Sequence, residues 1–134
     1  SFLHDGGTLD HHTVSVSDAF GALKSSLGLL DRIAKEAGVG ATKLNILMAT
    51  PDYLLASHRG APMAYRLLHG RDDLEPLFAQ QGAEKLRMPD LEPCRLAVVA
   101  SDFEGDRIPQ GWTQVPASAM IAFSRTHEPT IVQT

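Results

Sequence analysis

The chain has 134 residues, 43% of them hydrophobic and 21% charged, with a formal net charge of −4. This is the size and composition of one soluble globular domain and not of a disordered chain. The negative balance, with no basic stripe, argues against nucleic acid. No apolar run approaches the roughly 20 residues needed to cross a bilayer. The lone Cys94 excludes an internal disulfide and fits a reducing compartment, the cytoplasm.

The chain opens apolar at Ser1-Phe2-Leu3 and breaks at Gly6-Gly7, which reads as the last turn of a helix whose body lies upstream. The expectation is therefore a piece of a longer polypeptide. After a polar, turn-like stretch, Ser15 to Asp18 matches a helix start. Phe20, Leu23, Leu27, Leu30 and Ala34 recur at three- and four-residue spacing, with Lys24, Asp31, Arg32, Lys35 and Glu36 opposite. This predicts an amphipathic helix ending at Gly38, with one apolar stripe able to cover one face of a sheet. Past Gly40 the period changes. Residues 44–49 read as a strand, Thr50-Pro51-Asp52 as a turn and residues 53–57 as the antiparallel return. A third strand, residues 63–68, follows the Gly60-Ala61-Pro62 break. Residues 69–93 are the least structured, with a helical turn or two within 74–86. Residues 96–100 form an apolar strand stopping at Ser101-Asp102, and a loop rich in Asp, Gly and Pro then carries Trp112. Residues 119–123 lead through Thr126-His127-Glu128-Pro129 into a last strand at 130–132.

Strands apolar at successive positions predict burial on both faces. About five such strands and one secure helix predict a layered α+β fold in a single domain spanning 1–134. One helix cannot sheath them, so further cover is expected from upstream sequence or a partner chain.

Several residues invite chemistry. His11 and His12, beside Asp10, suggest a metal, but neighbours on an extended chain point apart, and a solvated loop is the better reading. Cys94 sits between Pro93 and Arg95 with no base at a recognisable spacing, as an ordinary half-buried thiol would. Ser1 has the residue type of an N-terminal nucleophile, but the Gly6-Gly7 break denies it a firm strand. Ser101 and Asp102 at a strand end, with Asp106 and Arg107 in the following loop, make the most site-like cluster. Strand capping by Ser101 and Asp102 competes with ligand contact and is favoured. Trp112 reads as a lid on the sheet edge, and His58-Arg59 as an exposed cation pair guarding an edge. No residues for a cofactor or a metal are expected.

The order of parts resembles a known family. Leu44-Asn45-Ile46-Leu47-Met48-Ala49, a turn, then Tyr53-Leu54-Leu55-Ala56-Ser57-His58-Arg59 match its strand reading Leu-Asn-apolar and its strand ending Ala-Thr-Arg. Leu96-Ala97-Val98-Val99-Ala100-Ser101-Asp102, then Gly111-Trp112-Thr113-Gln114-Val115-Pro116, match its Ala-Ser-Glu-Pro segment, Trp and Val-Pro before a final hairpin. The chain thus resembles the C-terminal half of a class II glutamine amidotransferase domain, of the small stand-alone type related to the γ-glutamyl hydrolase of ergothioneine biosynthesis. The resemblance covers most of residues 19–134 apart from 71–92. Asp102 stands where Glu is usual, Phe103 where Pro is usual, and Pro51-Asp52 replaces the commoner Asp-Gly turn.

The resemblance implies part of the four-layer αββα sandwich of the N-terminal-nucleophile hydrolases, two face-packed antiparallel sheets sheathed by helices. It implies a Cys thiolate that attacks the γ-amide of a glutamine-like substrate, with that residue's own α-amine as base. The family's nucleophile, its Asn-Gly oxyanion hole and its substrate-holding Arg and Asp belong to the N-terminal half, and none matches a position here. An upstream fragment or partner chain would carry them. Ser101 and Asp102 would support that site from behind rather than touch substrate.

Overall fold

A computed structural model of the chain describes residues 14–80, 90–125 and 128–134. The first helix, α1 (Val16–Glu36), starts where Ser15 caps it: the Ser15 hydroxyl accepts from the Asp18 N–H at 3.0 Å and donates to the Asp18 carboxylate at 2.6 Å. It ends in a left-handed turn at Gly38, φ 72°, where the Val39 N–H bonds the Ala34 carbonyl and the Gly38 N–H that of Lys35. That pair of bonds satisfies carbonyls the helix end leaves free. Ala19, Phe20, Leu23 and Leu27 are buried, whereas Leu30, expected on the same stripe, is 41% exposed. The covered length of α1 therefore stops well before the helix does.

The strands are β1 (Ile46–Ala49), β2 (Tyr53–His58), β3 (Met63–His69), β4 (Arg95–Ser101), β5 (Thr113–Gln114), β6 (Ala119–Ser124) and β7 (Thr130–Gln133). A second helix, α2 (Gly70–Gln80), follows β3 directly, and a 3-10 turn (Glu104–Asp106) follows β4. The fold is α+β: one sheet has the order β1-β2-β6-β7, the other β4-β3-β5, and every pairing is antiparallel.

Side-chain alternation along the strands divides the core into three clusters. On β2 and β6, Tyr53, Leu55, Met120 and Ala122 point to α1 and pack on Phe20, Leu23 and Leu27. The alternate residues Ala56, Ala119, Ile121 and Phe123 point the other way and meet Met63, Tyr65, Ala97 and Val99 of the second sheet and Val115 just past β5. The Tyr65 and Phe123 rings touch edge to face, with centroids 5.1 Å apart. On the far side of the second sheet, Leu68 and Val98 pack with Leu74 of α2 and Leu91. The two sheets thus share one inner core, and each carries a helix against its outer face.

Helix α2 lies in the stretch expected to be least structured, and the predicted turns at 74–86 correspond to its second half; residues 81–89 lie outside the described residues. Asp72 and Asp73 stand in its first turn, where carboxylates complement the helix dipole, and Asp73 accepts from the His69 N–H at 2.8 Å. Gly70, at φ 74°, makes the sharp passage from β3 into this helix.

Burial on both faces holds for β2 and β6 but not for every apolar strand. Along β7 all four residues are exposed, Ile131 and Val132 by 43% and 40%, because β7 is the sheet's edge and neither face is covered there. The pair His58-Arg59 departs from expectation in the opposite sense. Strand β2 lies between β1 and β6, so His58 is buried rather than guarding an edge.

One buried polar atom stands apart. The Ser57 hydroxyl is fully buried on the α1-facing side of β2 and has no hydrogen-bond partner among the described residues. A lost hydrogen bond in the interior costs on the order of 1 kcal/mol. Ser57→Ala is expected to raise stability by about 0.5–1 kcal/mol, read as a higher urea midpoint with an unchanged slope.

Candidate functional site

The space between the sheets differs at its two ends. At one end β2 finishes, β3 begins and β4 finishes. There the gap is filled by Met63, Val115 and Ala119, none measurably exposed, and by His58. The His58 Nδ1 lies 2.9 Å from the Val115 carbonyl and 3.2 Å from that of Pro116. Two carbonyls can only accept, so Nδ1 carries the proton and donates to both. The ring thereby ties β2 to the segment between β5 and β6 and closes that end.

Just outside it, a polar corner holds the turn after β2. The Asn45 amide oxygen accepts from the Arg59 N–H at 3.0 Å and the Gly60 N–H at 2.8 Å, while its nitrogen donates to the Ala61 carbonyl at 2.7 Å. The Arg59 guanidinium pairs with Asp31 of α1 at 2.7 Å and is 17% exposed. That hydrogen bond holds the Asp31 carboxyl below its usual range. Partial burial opposes it and the Thr42 N–H at 3.3 Å assists it. Asp31, expected on the solvent side of α1, is instead its link to the strands. At the helix start Tyr53 does the same, its hydroxyl donating to the Ser15 carbonyl at 3.3 Å. Burial, then the charges of Asp52 and Asp18, push the Tyr53 phenol up from its usual value.

Ser101 and Asp102 lie at this closed end. Ser101 is paired with Met63, and the Asp102 N–H donates to the Pro62 carbonyl at 3.2 Å. Both are exposed, and Asp102 takes φ 65°, a left-handed conformation tolerated by Asp better than by most residues. Asp106, φ 55°, and Arg107 continue the loop on the surface. Trp112 meets Phe103 edge to face at 5.8 Å, so it packs on this loop. The Cys94 thiol is half-buried and donates to the Asp90 carbonyl at 3.4 Å, a backbone tie rather than contact with a base. Ser1, His11 and His12 lie outside the described residues.

The other end of the same space is open. A cleft of about 960 Å3 lies there, walled by Leu54 and Phe123 of the first sheet and Leu67, Leu96 and Ala97 of the second. The volume is that of a small-molecule site, roughly 300–1,000 Å3. His69, Arg95, Asp52, Arg125 and Glu128 line its mouth. Ser101 and Arg95 are the two ends of β4, about 20 Å apart along the strand. The cluster singled out in the sequence and the cleft therefore do not meet. Nothing local in the sequence marks the cleft, since its walls are ordinary apolar strand residues and its mouth residues flank the apolar runs, and they converge only through the pairing of β2 with β6 and β3 with β4.

No protein-family model, curated protein or solved structure matches the chain. Among the described residues no cluster of His, Cys, Asp or Glu is arranged to hold a metal, and no helix is long and apolar enough to cross a membrane.

Proposed function

We propose that the chain is the C-terminal portion of a class II glutamine amidotransferase-like γ-glutamyl amide hydrolase acting in the cytoplasm. It scaffolds a site whose N-terminal Cys nucleophile is carried by other polypeptide. The observation that supports this best is the pair of face-packed antiparallel sheets, each with a helix on its outer side. In this reading they form part of the αββα sandwich of the N-terminal-nucleophile hydrolases. The free edges at β1, β7 and β4 are where strands of the N-terminal half add. Ser101 and Asp102 then brace the site from behind, with Asp102 set by its bond to Pro62. The runner-up, a non-catalytic assembly module, draws on the exposure of Ile131 and Val132 along β7.

The two separate in a reconstitution. The chain alone is expected to show no hydrolysis of glutamine or γ-glutamyl amides. Co-expression with an N-terminal fragment that begins with Cys is expected to restore turnover, and Cys94→Ser to leave it intact. A stable complex without turnover favours the assembly module. Turnover abolished by Cys94→Ser makes that thiol the nucleophile and ends the proposal.

A further inference from the structure

We propose that the open end of the inter-sheet space binds a small amphipathic acid, its apolar body between the sheets and its carboxylate held between Arg95 and Arg125. The inference rests on this chain's own residues and stands whether or not the hydrolase reading does.

Register places the groups. On β3 and β4 the inner row runs through Met63, Tyr65, Ala97 and Val99, so the same alternation carries His69 and Arg95 to the inner side. They are direct partners across the pair, which sets their Cβ atoms about 5 Å apart. On the first sheet Leu54 and Phe123 are inner partners. Asp52 and Arg125, in the bends just beyond the ends of β2 and β6, both line the cleft too. Two arginines from opposed sheets thus stand at the mouth of an apolar slot.

Charge decides the ligand's head group. Asp52 and Glu128 also line the mouth, and with Arg125 they belong to the first sheet's side. The second sheet's side carries Arg95 and His69. The ion pairs of the described residues are Arg59 with Asp31 and Arg71 with Glu75, so no carboxylate of a described residue holds Arg95 or Arg125. A guanidinium offers a planar fork of donors matched to a carboxylate, and it loses less hydration than an ammonium on doing so. Below the fork, Leu67 of the inner row is 46% exposed, apolar surface that an alkyl or aryl body would cover.

The test is a titration of the chain with octanoate, octan-1-ol and octylammonium, followed by NMR of leucine methyls. Octanoate is expected to saturate with shifts at Leu54 and Leu67, and octan-1-ol to bind at least tenfold more weakly. Arg95→Gln and Arg125→Gln, at exposed positions, are each expected to weaken octanoate about tenfold or more while leaving the remaining spectrum unchanged. Equal binding of all three probes would reduce the cleft to a greasy surface and overturn the proposal. Preference for octylammonium would assign the mouth to Asp52 and Glu128 instead. Shifts confined to other leucines, or arginine variants that bind octanoate as the parent chain does, would also reject it.

Discussion

Ile121→Ala is expected to lower the stability of the chain by about 3–4 kcal/mol, the middle of the range for such truncations. Ile121 is fully buried on β6, in the cluster that joins the two sheets. Its register partners are Ala56 on one side and Ile131 on the other. Ala56 is too small to move into the space a lost sec-butyl group leaves, and Ile131 sits on an edge strand that is 43% exposed. Opposite, Met63 is held in β3 and Val115 by its N–H bond to the Met63 carbonyl at 2.9 Å, so the cavity would persist and add its cost to the lost transfer free energy. For a domain whose total stability is about 5–15 kcal/mol this is a large fraction. The control is Leu29→Ala on α1, a truncation of equal size at a position 47% exposed, expected to cost less than about 1 kcal/mol. Urea unfolding of the two variants compares them directly. Equal losses would mean that the inter-sheet cluster is not the tightly packed centre of the fold.

The difference between those two leucine-sized positions also marks where the sequence is readable. Helix α1 was legible because its signals are local: the Ser15 cap, the three- and four-residue spacing and the glycine at Gly38 all lie within one element. The strands β2, β3 and β6 were legible for the same reason, as short apolar runs between turn formers. What hydrophobicity cannot report is which neighbour a strand takes. Strand β2 pairs with β6, more than 60 residues on, and that pairing buries His58 where an exposed cation pair guarding an edge was expected. Strand β7 carries the apolar pair Ile131-Val132, and its place at the edge leaves both exposed. The cleft is hidden for this reason too. Arg95 and Arg125 are 30 positions apart, and only the stacking of one sheet on the other makes them neighbours of one space. Ser101 and Asp102 were conspicuous because they end an apolar run, yet the same run places them at the end of β4 away from the cleft.

Asn45→Ala is expected to cost about 2–3 kcal/mol, unusually much for a half-buried polar residue. Among the described residues its amide is the only side chain bonded to the backbone of the turn that leads β2 into β3: it accepts from the Arg59 and Gly60 N–H groups and donates to the Ala61 carbonyl. Removing it leaves two N–H groups and one carbonyl without that partner in a part of the chain where water has limited access, at about 1 kcal/mol each. The turn also aims Arg59 at Asp31, so its loosening would slacken the tie between α1 and the strands. Gly60 supplies the second half of the test. A Cβ built there lies 3.3 Å from the Asn45 amide oxygen, closer than ordinary van der Waals contact. Gly60→Ala should therefore displace that amide and cost stability in the parent chain, but cost much less once Asn45 is already alanine. The double variant is expected to be more stable than the sum of the singles predicts by 1 kcal/mol or so, a coupling typical of residues that share hydrogen bonds. Strict additivity in urea unfolding would show that the Asn45 amide does not hold this turn, and that the chain enters β3 by backbone preference alone.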